Sequence, residues 1–162
     1  MIQNITTVFR VGHLKPAPGT WGSLAALPPA IALHYIGGFW LLLVATVAVF
    51  FIGLWAVMQA LLDGVEDDPA EIVIDEVAGQ WIALLPVSYG AVFAGADLLA
   101  LWPGIVTAFL AFRLFDIWKP GPVKWADRRE GAMAVMLDDV VAGVMAAVVV
   151  ILLAAIAHIW LI

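Results

Sequence analysis

Long apolar runs broken by short polar stretches set the rhythm of the chain, and the breaks divide it into four or five hydrophobic segments. A full helical span of a bilayer takes about 20 residues, with roughly 17 as the lower limit. Gly22 to Ile36 is short and carries Pro28 and Pro29, which predict a kink unless neighbouring helices satisfy the freed carbonyls. Gly37 and Gly38 predict a turn, and Phe39 to Leu62 is the cleanest span, 24 residues without one charge. Asp63 to Glu71 is an acidic loop with Gly64 and Pro69, where Asp63, Glu66 and Asp67 are expected to be solvated. Ile72 to Val87 is apolar except for Asp75, Glu76 and Gln80, and a turn is expected near Ser88 to Gly90. The next span is firmest from Leu98 to Ile117, is stopped by Pro120 and Pro122, and leads into a basic loop before a last span, Val140 to Ile162.

Composition fixes the class. With 65% hydrophobic and 12% charged residues, the chain lies far from the globular average of about 25% charged. The expected fold is an all-α, polytopic membrane bundle of about five hydrophobic helices, two of them short or broken, forming one domain over residues 1–162. No cleaved targeting segment is expected in the first nineteen residues, which lack an apolar run of that kind.

The net charge of −6 hides an uneven distribution: all seven basic residues lie between Arg10 and Lys15 or between Arg113 and Arg129. Lys and Arg stay on the cytoplasmic side of short loops. Five alternating spans starting inside place Arg10, Lys15, Lys119, Lys124, Arg128 and Arg129 in the cytoplasm, with the last three read as topology determinants. Nucleic acid is excluded as a partner, because there is no broad basic face and the eight Trp suit a bilayer interface better than base stacking.

The same threading brings Asp75 with Glu76, Asp116, and Asp138 with Asp139 to the inner ends of three spans. A charged side chain in hydrocarbon costs roughly 2.5 to 3.5 kcal/mol on insertion scales, so carboxylates set into apolar runs are functional candidates. Arg113 and Asp116 share a helix face, as do Asp116 and Lys119. Successive helical residues point about 100° apart, so at most one member of each acidic pair is expected to face a common centre directly, leaving the other for an outer contact or a second metal. Oxygen ligands with no Cys suit Mg²⁺, and Arg113 and Lys119 suit the oxygens of a phosphate, with a lipid head group as the obvious source. In the loop Lys15 to Leu24, Thr20 or Ser23 can cap a helix whose start favours anions. Local chemistry alone reads the loop more simply, as a Pro-Gly turn.

Four blocks in order resemble the phosphatidylglycerophosphatase A family of bacterial membrane lipid phosphatases: APGTWGSL at Ala17 to Leu24, DPAEIVIDEVAG at Asp68 to Gly79, FRLFDIWKPGP at Phe112 to Pro122, and MLDDVVAG at Met136 to Gly143. The resemblance implies Mg²⁺-dependent removal of phosphate from phosphatidylglycerophosphate to give phosphatidylglycerol, at the cytoplasmic face of the inner membrane. It also implies that Asp75, Glu76, Asp116, Asp138 and Asp139 form the catalytic and metal-binding set, beside which the local chemistry sets Arg113, Lys119, Thr20 and Ser23 toward the phosphate.

Elimination agrees with a metal-activated water and a carboxylate base, Asp138 or Asp139, although an aspartyl nucleophile stays open. There is no Cys nucleophile, His13, His34 and His158 lack the PSGH context of histidine-dependent lipid phosphatases, and no Asp pair has the spacing of a dehalogenase-like nucleophile. The competing class is an ion-coupled transporter or channel subunit using the same carboxylates, but such sites prefer mid-bilayer and repeated halves. A non-catalytic lipid-binding subunit would need the phosphate contacts without the full acidic set.

Overall fold

Every regular element among the described residues of the computed structural model, 1–63 and 71–161, is helical. The helices are α1 (Ile2–Thr6), α2 (Pro18–Leu62), α3 (Ile74–Ala94), α4 (Trp102–Trp118), α5 (Gly121–Asp127) and α6 (Ala132–Leu161), with single 3₁₀ turns at Val11–His13 and Leu98–Leu101. Most of the expected acidic loop, including Glu66, Asp67 and Asp68, lies outside the described residues, as does Ile162. Four stretches are long and apolar enough to cross a membrane: Pro18–Leu62, Ile74–Ala94, Leu98–Trp118 and Ala132–Ile159.

The 45-residue α2 folds back on itself. Its backbone leaves helical geometry at Gly37 (φ −149°, ψ 19°) and Gly38 (φ 63°, ψ −156°), and the second of these is a left-handed conformation that suits glycine. Contacts with α3 give the directions of the two arms. In the first arm Gly22 meets Val73 and His34 meets Ser88, so it runs from the start of α3 toward its end. In the second arm Phe39 packs on Tyr89 and Gly53 on Ile74, so it runs back. The bundle therefore holds five apolar arms, as the hydrophobic pattern predicts. Pro28 and Pro29 leave the dihedrals helical, and the Trp81 indole donates to the Ala26 carbonyl at 2.8 Å, beside the two carbonyls that the prolines leave without helical donors.

Three element boundaries differ from expectation. Helix α3 runs through Ser88 and Gly90 to Ala94, because the Ser88 hydroxyl is buried against His34 Nδ1 at 2.7 Å and needs no turn to satisfy it. The turn comes at Gly95 (φ 62°), and Asp97 then accepts from the amides of Leu99 and Ala100. The supposed basic loop contains α5, a seven-residue helix that Pro120 and Pro122 open and whose Val123 and Ala126 are buried. Helix α6 starts at Ala132, so Asp138 and Asp139 sit inside it, two turns from its start and immediately before its uninterrupted apolar run.

The core is built largely from small residues, with Ala26, Ala78, Ala83, Ala108, Ala142 and Ala146 buried and Phe112 filling the space between them. Large apolar side chains instead point outward: Phe51 is 62% exposed, Leu110 59% and Phe93 82%. This inside-out distribution suits helices that pack closely in lipid, where small residues let backbones approach. A close backbone approach joins α3 to α6. A Cβ on Gly143 would lie 2.4 Å from the Gly79 carbonyl oxygen, and one on Gly79 would lie 2.6 Å from the Asp139 carbonyl oxygen.

Candidate functional site

Four helices meet at one end of this bundle, and three of them bring charge. The start of α3 supplies Asp75 and Glu76, the end of α4 supplies Arg113 and Asp116, α6 supplies Asp138 and Asp139, and the start of α2 supplies Gly19 and Ser23. The five predicted carboxylates form two groups that share Asp139. One oxygen each of Asp75, Glu76 and Asp139 lie within 4.8 Å of one another, and so do those of Asp116, Asp138 and Asp139.

Both members of each acidic pair take part, Asp75 and Glu76 in one group, Asp139 in both and Asp138 in the other, an arrangement that leaves room for the second metal expected beside a common centre. Adjacent side chains diverge by about 100°, but a centre between helices that lies along the bisector is within reach of both. The contact between Gly79 and Gly143 brings α3 and α6 close enough for that.

Arg113 and Lys119 flank the acidic groups. Arg113 Nη1 lies 2.7 Å from Asp116 Oδ2 and donates to the Ser23 hydroxyl at 3.2 Å. Lys119 Nζ contacts Asp138 Oδ2 at 2.9 Å and Asp127 on α5. The expected Asp116–Lys119 ridge does not form, because Lys119 caps α4 in a left-handed conformation (φ 47°, ψ 58°) that swings it off the helical face toward α6. Burial pulls the Lys119 ammonium down, but the hydrogen bonds and charges of Asp127 and Asp138 outweigh it and hold its pKa above the ordinary lysine value.

Neither Thr20 nor Ser23 caps α2, which starts earlier, at Pro18, with Ala17 at the cap position and no side-chain cap. Buried Ser23 instead donates to the Gly19 carbonyl at 2.8 Å and presents its oxygen to Arg113. Thr20 is half-buried one residue beyond Gly19, and its hydroxyl has no hydrogen-bond partner among the described residues. A Cβ on Gly19 would fall 2.2 Å from Glu76 Oε1 and 3.2 Å from the Arg113 guanidinium, so glycine here admits both charged groups.

Several contributors escape sequence reading. Gln80, one turn beyond Glu76, is fully buried and its amide has no partner among the described residues. Asp127 anchors Lys119. The amino-terminal segment clasps the start of α3: the Val73 amide donates to the Thr6 carbonyl at 2.8 Å, His13 Nδ1 meets Glu71 Oε2 at 2.9 Å, and Gly12 abuts the Glu71 carbonyl. Only glycine at position 12 and histidine at 13 hint at that clasp in sequence. At the far end of the bundle, His34 is tied to Ser88 and Asp97 accepts from the Tyr35 hydroxyl at 2.9 Å, so both lie away from the acidic groups.

The donor set suits hard divalent cations. Five carboxylates face two cationic side chains, and a buried negative surplus of that size requires protons or bound cations. Glu76 Oε2, Asp138 Oδ1 and Asp139 Oδ2 are buried without a hydrogen-bond partner among the described residues, leaving lone pairs free for coordination. All candidate ligands are oxygens, the preference of Mg²⁺ and not of softer metals.

Comparison with known proteins bears on the same residues. The profile of the family described as Phosphatidylglycerophosphatase A matches residues 4–154. A Haemophilus influenzae protein named Phosphatidylglycerophosphatase A is 36% identical over 143 residues, covering 88% of this chain and 82% of its own length. An Escherichia coli protein of the same name is 34% identical over 140 residues, covering 86% of this chain and 75% of its own. A Bacteroides thetaiotaomicron protein, provisionally named phosphatidylinositol-3-phosphatase, is 38% identical over 144 residues, covering 86% and 85%. No solved structure matches the chain. Because the matched stretch contains every clustered carboxylate along with Ser23, Arg113 and Lys119, and two relatives carry the family's name over most of their length, the chain belongs to the phosphatidylglycerophosphatase A family of phosphatases.

Proposed function

We propose that the protein is a Mg²⁺-dependent phosphatidylglycerophosphatase, with the acidic cluster as its active site and its working end at the cytoplasmic surface of a bacterial inner membrane. The observation that carries this reading is the pair of carboxylate groups sharing Asp139, flanked by Arg113 and Lys119 at one end of an apolar bundle. The orientation rests on the clustering of Arg10, Lys15, Lys119, Lys124, Arg128 and Arg129 in segments at that same end. An ion-coupled transporter would want these acids at mid-bundle, whereas they stand at the ends of α3 and α4.

Asp75, Glu76, Asp116, Asp138 and Asp139 would hold Mg²⁺, which when bound supplies positive charge against the phosphate oxygens and makes a water more acidic. Arg113, steadied by Asp116 and Ser23, offers guanidinium hydrogens to two phosphate oxygens. Lys119 sits on the α6 side of the cluster and supplies a point charge there. A carboxylate of Asp138 or Asp139 takes the proton of the attacking water as its oxygen bonds to phosphorus. The bond from phosphorus to the glycerol oxygen breaks, that oxygen takes a proton from solvent water while the carboxyl group gives its own back to solvent, and phosphatidylglycerol and inorganic phosphate leave. We assign Thr20, in the first turn of α2, as a further phosphate contact.

Phosphate release by purified protein, from phosphatidylglycerophosphate and in parallel from phosphatidylinositol 3-phosphate, tests the reading. Wild type should be active with Mg²⁺, and Asp138→Asn and Asp75→Asn should be severely impaired. Activity indifferent to EDTA would refute the metal requirement, and full activity in both variants would remove their assigned roles.

A further inference from the structure

The three basic residues that sequence reading assigns to topology form a pocket. Lys124, Arg128 and Arg129, with Gly121 and Trp125, line a shallow cavity of about 490 Å³ on the outer side of α5. The Arg129 guanidinium lies over the Trp125 ring, 4.2 Å from its centroid, which holds one cation in place at the rim. The sole acid of α5, Asp127, is engaged by Lys119. None of Lys124, Arg128 or Arg129 has a carboxylate within ion-pair distance among the described residues, so the three charges stand uncompensated.

Position gives these charges a chemistry. Helix α5 joins two membrane-crossing stretches, buries Val123 and Ala126 against the bundle, and follows the outward-facing Ile117 (70% exposed) and Trp118 (73% exposed), so its polar side lies where lipid head groups are. Lys119 bridges Asp127 of α5 to Asp138 of the acidic cluster, so the helix that carries the pocket is tied directly to the cluster.

We propose that Lys124, Arg128, Arg129 and Trp125 form a second anion site that binds the phosphodiester of an anionic glycerophospholipid while a phosphomonoester occupies the acidic cluster. The occupant is a phosphodiester because delocalised guanidinium and ammonium groups with no metal ligands beside them match a singly charged, non-reacting phosphate. The two sources are the substrate's own glycerol phosphodiester and a neighbouring anionic lipid. Only the first rests on the reading given under Proposed function.

Native mass spectrometry of the detergent-solubilised protein, titrated with phosphatidylglycerol or phosphatidylcholine, tests the pocket without reference to activity. Wild type should retain phosphatidylglycerol preferentially, and K124Q/R128Q/R129Q should bind it about tenfold more weakly or worse, given the attraction that each cation near the surface contributes. The charge-preserving R128K/R129K should retain it, which separates lost charge from lost fold. Equal phosphatidylglycerol binding by wild type and the triple variant would overturn the proposal.

Kinetics in neutral detergent micelles then identifies the source. A KM for phosphatidylglycerophosphate raised about tenfold in the triple variant assigns the pocket to the substrate's own phosphodiester. A rise seen only when phosphatidylglycerol is present in the surface assigns it to a neighbouring lipid. Wild type inactive on phosphatidylglycerophosphate would defeat the substrate reading alone, and the binding result would still decide the pocket.

Discussion

Gly143 and Gly79 touch through their backbones: a Cβ on Gly143 would stand 2.4 Å from the Gly79 carbonyl oxygen. That contact sets the spacing of α3 and α6, and with it the distance of Asp139 from Asp75 and Glu76. Gly143→Ala should therefore push the helices apart, costing about 1–3 kcal/mol as overpacking does. It should also reduce activity by moving Asp139. Thermal unfolding in detergent, read beside phosphate release, checks both; a variant with unaltered midpoint and turnover would show that this crossing does not hold the site together.

Asp139 belongs to both carboxylate groups, whereas Asp75 belongs to one. Asp139→Asn should accordingly lose at least about a hundredfold in kcat, and Asp75→Asn should lose less. Single-turnover rates at saturating Mg²⁺ compare them, and the opposite order would shift the centre of the site toward the α3 side.

Gly19→Ala should act on chemistry more than on folding, since its Cβ would meet the outer atoms of Glu76 and Arg113 instead of backbone. The expected result is about a tenfold fall in kcat/KM, equivalent to about 1.4 kcal/mol, with the unfolding midpoint nearly unchanged. A large drop in midpoint with normal kinetics in the folded fraction would contradict this account.

Lys119 has a pKa raised above the ordinary value, so it is positively charged throughout the range below about pH 10. A raised lysine contributes its stabilisation fully below the unfolded-state pKa and loses it only as pH climbs through the folded-state value. Any alkaline fall in rate between pH 7 and 9 should thus come from another group. Lys119→Gln should lower the rate about tenfold across that range while leaving the shape of the profile as in wild type. A profile that changes shape would show that Lys119 itself titrates there.

Metal removal gives the last expectation. Chelation should abolish turnover and added Mg²⁺ should restore it, because the ligand set is all oxygen. Restoration by Zn²⁺ in preference to Mg²⁺ would contradict the ligand chemistry.

Much of this was legible in sequence because charge is costly in hydrocarbon: Asp75, Glu76, Asp116, Asp138 and Asp139 stood out against apolar runs, and they do converge. That both Asp75 and Glu76 join one group is not legible from the geometry of a single helix, because the carboxylates meet between helices drawn together at glycines. Spacing pairs Lys119 with Asp116, whereas it meets Asp127 and Asp138, since its left-handed backbone is a property of the α4 terminus and not of spacing. Ser88 read as a turn because its partner, His34, is 54 residues away in sequence. Gln80, Asp127 and the clasp between His13 and Glu71 depend on tertiary neighbours that no local pattern announces.

The reversal at Gly37 and Gly38 reaches beyond local geometry. Uninterrupted, a helix of 45 residues would be about 68 Å long, more than twice the roughly 30 Å of a hydrocarbon core. Doubling back lets both halves fit, and it also sets parity. With an even number of crossings before α3, the acids that open α3 emerge on the same leaflet as Gly19 and Ser23; with one crossing fewer, the membrane itself would separate Glu76 from the glycine it rests against. A hairpin at the far surface thus determines that the charged groups meet at all.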